Sequence, residues 1–588
     1  MSEESRGPAG FGAVRWRVEY LVVPVLVFYA LTLFWPALRM VLVSMPEGDP
    51  FRYYRDILTS GLYQEAMLRT FVYSVIATLG TLVLGYPLAY FMVRGRTWIR
   101  ISITVLVVVP MFVALLVRTF GWMMIFSRTG PINRVLLSLD LIEEPMRLMY
   151  TTFAVQVGMV AVLLPFMVLP LYATMRRIDP GLLQAARGLG APPPSVFAFV
   201  FMPLSMPGVY AGIMIVFVLS LGFYITPDLL GGSSNQVYAV LLAKAVKLNS
   251  TRPGLPAAMA ALLLLVAMMV LAICARLVSV NDLWVAETRE QVWRQRSARR
   301  SSAAWWRRFR DGALVEFTLR TGKLPYWLHA LPGTLLAGLA IALSIVPIFV
   351  ALVFSFARSI FLPFPPTEFT LKWYYTFAES ARWYEAITTS VTMGLAVAVL
   401  VTAVSALTAI AVVRGRFPGK QWVISLILSP LIIPHVALAV GLWHLFFVVG
   451  LSGTWPGVII AHMIPAIPVT TIVIAADLHN FDKKLEQVAR GLGASPVRAF
   501  VAVTFPILRS GFLVGGFFGF LVSLDELVFT LFLAGYSIRT LPLRLWEDLH
   551  VRLDPVLAVV SVVEVLLVLA VLAGSFAILK FRQRAAEA

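Results

Sequence analysis

Two adjacent acids, Asp525 and Glu526, interrupt an otherwise apolar run of this 588-residue chain. An ionisable group inside lipid is costly, so it marks a pathway, a relay or a buried polar contact. A pair of carboxylates could orient a cationic solute in a wet cavity, helped by aromatic faces. The competing reading is a hydrogen-bonded packing or gate contact between two parts of the chain. Arg118, His435, Asp477 and Glu564 also fall in apolar runs and are read as structural or interfacial, with Asp228 at the end of its run. No nucleophile–base or paired-carboxylate constellation of an enzyme appears. His435, His444 and His462 lie 9 and 18 residues apart without a carboxylate–histidine pattern, so no metal site is expected. Gly415-Arg-Phe-Pro-Gly-Lys420-Gln421 is one residue short of a phosphate loop and lacks the Ser or Thr that would hold magnesium. Cys274 is alone, which excludes a disulfide framework.

The elements that position these residues are membrane helices. Hydrophobic residues make up 60% of the chain and charged residues only 13%, a balance foreign to soluble domains. Twelve apolar runs are long enough to span a bilayer, near 20–43, 67–93, 101–126, 152–175, 207–230, 256–278, 330–354, 386–413, 421–449, 456–477, 510–534 and 556–580. No series of short alternating strands suggests a β-barrel. The net charge of +18 has a topological explanation, because Arg and Lys collect in alternate loops. Arg94, Arg96, Arg176, Arg177, Arg414, Arg416, Lys483, Lys484 and the C-terminal Lys580 and Arg582 place both termini in the cytoplasm. No removable signal peptide is seen, and no nucleic-acid partner is needed to account for the charge.

The strongest internal signal is a polar segment that occurs twice. Residues 179–208 and 482–511 are identical at 14 of 30 positions, at a spacing of 303. Lipid accepts any apolar residue, so it cannot impose that identity; something outside the bilayer must read both copies. Asp179-Pro180 is a helix start, and Gly188 and Gly190 stop the helix. A second start follows at the Pro192–Pro194 run, and at Ser495-Pro496 in the other copy, with Pro203 or Pro506 expected to end that helix before the next span. The product is a helix–glycine–helix elbow projecting from the membrane. Other features repeat too: Arg94-Gly95-Arg96 with Arg414-Gly415-Arg416, Pro110 with Pro430, Pro165 with Pro468. The expected fold is an all-α polytopic membrane protein of two parallel six-helix repeats. They comprise a 1–19 cytoplasmic segment, a first half at 20–278, a basic linker at 279–325, a second half at 326–580 and a tail at 581–588. The linker's arginines and Trp293, Trp305 and Trp306 suit a segment lying on anionic headgroups.

The elbow carries a specific resemblance. Gln184-Ala185-Ala186, three residues, Gly190, and again Gln487-Val488-Ala489, three residues, Gly493, are similar to the EAA loop of permease subunits of bacterial ABC importers. Both copies have Gln for the leading Glu, and the second has Val for an Ala. Leu116–Trp122, Gly130–Asn133, Leu164–Tyr172 and Tyr224–Gly232 resemble the first permease subunit of spermidine/putrescine importers; Phe369–Tyr374 and Ser523–Glu526 resemble the second. The resemblance implies a type I importer permease with both halves fused, set in the inner membrane. It implies coupling through Gln184, Ala185, Ala186, Gly190, Gln487, Ala489 and Gly493 to a cytoplasmic ABC ATPase dimer. ATP and magnesium would bind that dimer, with no cofactor on this chain, and an external solute-binding protein would deliver a small molecule. A polyamine-like cation is the first expectation for the solute, with opines and ferric iron as alternatives. The rival class, an ion-coupled secondary transporter, would need a buried titratable relay and no repeated docking segment.

Overall fold

The computed structural model describes residues 18–248, 253–277, 326–359, 364–551 and 554–587. The basic linker lies outside the described residues, as do residues 1–17. Each half is built on three closely packed helices. In the first they are Gly61–Arg94, Thr152–Met175 and Met202–Leu221; in the second, Ala381–Arg414, Trp455–His479 and Phe505–Asp525. Small residues allow this closeness, as expected where lipid offers no hydrophobic drive between helices. Gly212 lies against Met167 across one contact of the first half, and Gly515, 303 residues on, lies against Ile474 across the matching contact of the second.

The halves exchange their first helices. Val18–Val43 packs on Ala381–Arg414 and His435–Val448 of the second half, where the Tyr29 hydroxyl donates to the Ile427 carbonyl at 3.3 Å. Tyr326–Ser355 packs in turn on Leu115–Phe126 of the first half. Both crossings need a glycine. A Cβ on Gly121 would lie 2.2 Å from the Pro347 carbonyl oxygen, and one on Gly441 would lie 3.3 Å from that of Pro36. Gly121 and Gly441 are 320 residues apart, the same offset as the Arg-Gly-Arg pairs, so one crossing is made twice about a pseudo-two-fold axis.

Among the described residues, ten helices are long and apolar enough to cross a bilayer. The expected count of about twelve is reached by counting two broken pairs as one span each. Thr97–Phe112 and Leu115–Ser138 meet at 101°, and Lys420–Leu431 and His435–Val448 at 93°. The expected spans 101–126 and 421–449 are therefore not straight. At the first break Val113 and Ala114 are extended; at the second Pro434 is, and it also disfavours helical backbone at Ile433. Hydropathy cannot register a bend whose residues are all apolar. The expected spans 207–230 and 510–534 are also corrected at both ends. Their helices begin at Pro193 and Pro496, and they stop at Leu221 and Asp525. Pro203 and Pro506 do not end the elbow's second helix. The preceding turns, Phe197–Phe201 and Phe500–Thr504, widen into π-helix and the chain runs on into the span. A proline has no N–H for the helical ladder, and the widened turn accommodates that loss.

Candidate functional site

The elbows are the same structure built twice. The Asp179 carboxylate caps Pro180–Gly188 by accepting from Gly181 N at 2.8 Å, and Asp482 caps Lys483–Gly491 by accepting from Lys484 N at 3.0 Å. At the other end Ala191 N donates to the Ala186 carbonyl and Ala494 N to that of Ala489, at 3.2 and 3.1 Å. That closure needs a left-handed residue just before it, which Gly190 (φ +85°) and Gly493 (φ +89°) supply. Gln184, Ala185 and Gln487 are exposed, while Ala186 and Ala489 are half-buried. Leu189 and Leu492 stand at the tips, 90% and 86% exposed. An apolar side chain so presented, twice, is shaped for a socket on another protein.

The elbows rest on the bundle through different chemistry. In the second half Glu486 accepts from Arg414 at 2.6 Å and from the Thr504 hydroxyl at 3.1 Å. The matching positions of the first half are Leu183, Arg94 and Phe201. There Leu183 is buried and the Arg94 guanidinium lies 5.7 Å from the Phe201 ring centroid.

The intramembrane acids sit where the halves meet. Asp525 ends its helix, and its Oδ1 accepts from Leu115 N at 3.1 Å, the first residue of the broken span's second arm. A carboxylate at a helix N-terminus meets both an unpaired N–H and the positive end of the dipole. The pseudo-equivalent contact has no acid: a Cβ on Gly222 would lie 2.7 Å from Pro434 Cβ. Glu526 is buried, and its Oε1 accepts from Phe529 N at 3.1 Å, capping Val528–Leu533. His462 has both nitrogens occupied, Nδ1 by the Ser523 hydroxyl at 2.9 Å and Nε2 by the Thr530 hydroxyl at 2.8 Å. Thr530 already donates to the Glu526 carbonyl, so it accepts from Nε2–H. His462 thus holds Ser523 and Thr530 together in the packing. Among the described residues no His, Cys, Asp and Glu side chains gather as a metal site.

A contact that sequence reasoning missed joins the halves near Asp228. His550 Nε2 lies 3.0 Å from Asp228 Oδ2, and its Nδ1 lies 2.9 Å from the Trp546 carbonyl. Both partners only accept, so both ring nitrogens carry protons. Burial opposes the charged ring, and Lys247 does too, but Asp228 and the Trp546 carbonyl outweigh them and raise the His550 pKa above its ordinary value. Lys247 Nζ lies 4.4 Å from the Trp546 ring centroid. With Asp228 and His550 322 residues apart, no local pattern announced the pair.

Two fused helical repeats, broken spans and a duplicated elbow define a two-fold membrane transport scaffold. The family of binding-protein-dependent transport system inner membrane components matches residues 81–280 and 404–585, and the chain belongs to it. It is a non-catalytic permease subunit, and family membership implies a separate ATPase and a solute-binding protein. The spermidine/putrescine permease PotB of Escherichia coli is 35% identical over 223 residues, 37% of this chain and 81% of that protein. The spermidine/putrescine permease PotC of Haemophilus influenzae is 33% identical over 203 residues, covering 34% and 79%. Among solved structures, a bacterial ABC transporter involved in the import of the acidic polysaccharide alginate matches 44% of this chain and 93% of its own, with 15% identity and a TM-score of 0.39.

Proposed function

We propose that this chain forms the whole channel of an ATP-driven importer for a small polyamine-like cation. The observation that carries the reading is the duplicated elbow, with one left-handed glycine and one exposed leucine at the same place in each half. Each elbow docks into one subunit of a cytoplasmic ABC ATPase dimer, where ATP and magnesium bind. Gln184, Ala185, Ala186 and Gly190 form one docking surface; Gln487, Ala489 and Gly493 form the other. The alternation of Arg and Lys between loops assigns both termini and the 279–325 linker to that side. An external solute-binding protein delivers the cation to the opposite face. Asp525 and Glu526 give the joint between halves its negative charge, and the joint's use of broken helices suits a part that moves. The cationic solute is supported by these acids and by the polyamine relatives.

Proteoliposomes holding this chain, its ATPase and its binding protein test the reading through ATP-dependent uptake of labelled spermidine. Uptake of an opine or ferric iron with exclusion of spermidine would replace the solute. ATP hydrolysis that ignores the loaded binding protein would defeat the coupling.

A further inference from the structure

Two ionisable side chains inside the bundle have enclosed polar atoms without a hydrogen-bond partner. Glu564, within the Pro555–Glu587 helix, is 1% exposed, and neither carboxylate oxygen meets a donor. Arg118, in the first turn of Leu115–Phe126, is 6% exposed, with Nε and Nη1 enclosed and unbonded. Both lie within electrostatic reach of Asp525. The packing agrees with that placement. Leu524, beside Asp525, shares an apolar cluster with Val568, one helical turn beyond Glu564. Leu115, whose N–H reaches Asp525, is one turn before Arg118. The three groups therefore converge from both halves.

An unpaired charge in a low-dielectric interior is among the costliest things a fold can hold. Arg keeps its proton in any protein setting, so Arg118 is a permanent cation. Two carboxylates beside it leave an excess of acceptors over the donors that one guanidinium can aim at them. Glu526 differs from Asp525 in bonding within its own half, where its Oε1 accepts from Phe529 N. Glu564 has both oxygens available, and Asp525 has one oxygen left beyond its bond to Leu115 N.

We propose that Asp525 and Glu564 form an ammonium-binding station between the halves, and that Arg118 is a fixed cation beside it whose charge competes with the ammonium for the same field. This rests on the cationic-solute reading above and adds the second carboxylate and the competitor. A primary ammonium brings three donors and no acceptor, which suits two convergent carboxylates. Charge-assisted hydrogen bonds of this kind are roughly twice as strong as neutral ones. An arriving ammonium supplies the donors these oxygens lack, and the Arg118 charge limits how tightly it is held. At the pseudo-equivalents of Asp525 and Arg118 stand Gly222 and Leu438, so the channel holds a single station.

Calorimetric titration of spermidine into the detergent-solubilised complex of this chain with its ATPase reads the station directly, because the binding protein is left out. Glu564→Gln keeps the side-chain volume and should weaken binding about tenfold, the loss expected for one hydrogen bond to a charged group. Arg118→Gln removes the competitor and should tighten binding severalfold. Opposite signs are the signature, since two groups that served only packing would shift affinity the same way. An unchanged Kd in Glu564→Gln overturns the station, and weakened binding in Arg118→Gln overturns the competitor role. No binding by the unsubstituted complex overturns both; if ATP-dependent spermidine uptake with the binding protein persists in that case, the cationic-solute reading stands and only the station falls.

Discussion

Glu486 meets Arg414 at 2.6 Å in the second half, at the two positions where the first half has Leu183 and Arg94. A second position changes with it: Thr504, which donates to Glu486, stands where Phe201 lies beneath Arg94. Around a constant arginine, two positions have exchanged an ionic and hydrogen-bonded anchor for an apolar and cation–π one, together. The pair is mostly buried, with 15% and 18% of the side chains exposed, so it falls between surface and core limits. Glu486→Leu alone leaves Arg414 unpaired and should destabilise the second elbow by about 1–3 kcal/mol. Glu486→Leu with Thr504→Phe recreates the first half's chemistry and should recover much of that loss, a coupling that a double-mutant cycle measures. Thermal unfolding of the purified chain reads it, and strict additivity would show that the two positions do not act as a unit.

The elbow glycines separate strain from docking. A Cβ on Gly190 or Gly493 meets no atom within 4 Å in the chain itself, so substitution costs only the left-handed backbone, about 1 kcal/mol. Asn tolerates that conformation better than Val. Gly190→Val and Gly493→Val should insert normally yet abolish hydrolysis stimulated by the loaded binding protein, while Gly190→Asn should retain part of it. Full stimulation in both Val variants would remove the elbows from the coupling path.

Because one chain carries both elbows, the assembly should hold one copy of it and two ATPase subunits. Native mass spectrometry of the purified complex checks the ratio. Two copies of this chain per complex would contradict it.

Much of the fold was legible because it rests on rules that sequence shows locally. Hydrophobic length gives spans, and Asp179, Gly190 and their counterparts gave the elbow down to its caps. What was illegible involved either geometry among apolar residues or partners far apart in the chain. Val113 and Ala114 turn a helix by extended backbone that no residue type announces. Pro203 was read as a stop, whereas the turn before it widens and the helix continues. Asp525 could be seen as an acid in lipid, but not that its nearest partner is the backbone of Leu115, 410 residues away.

The Asp228–His550 contact predicts a pH response on the side of the halves where it lies. His550 is held between two acceptors, Asp228 and the Trp546 carbonyl, so the contact requires the protonated ring. Lys247 faces the same cluster and opposes that charge, but the pKa is still raised. A raised folded pKa means the contribution is complete below the unfolded value, about 6.5 for His, and is lost as pH rises through the higher folded value. The contact joins the halves, so its loss should ease their separation at alkaline pH. His550→Gln should lower the unfolding midpoint relative to the parent chain at pH 6, with the difference shrinking to near zero by about pH 9, well above the ordinary histidine pKa. Asp228→Asn should give the same pattern, because it removes the group that holds the proton in place. A difference that stays constant across that range would show that the ring serves packing alone.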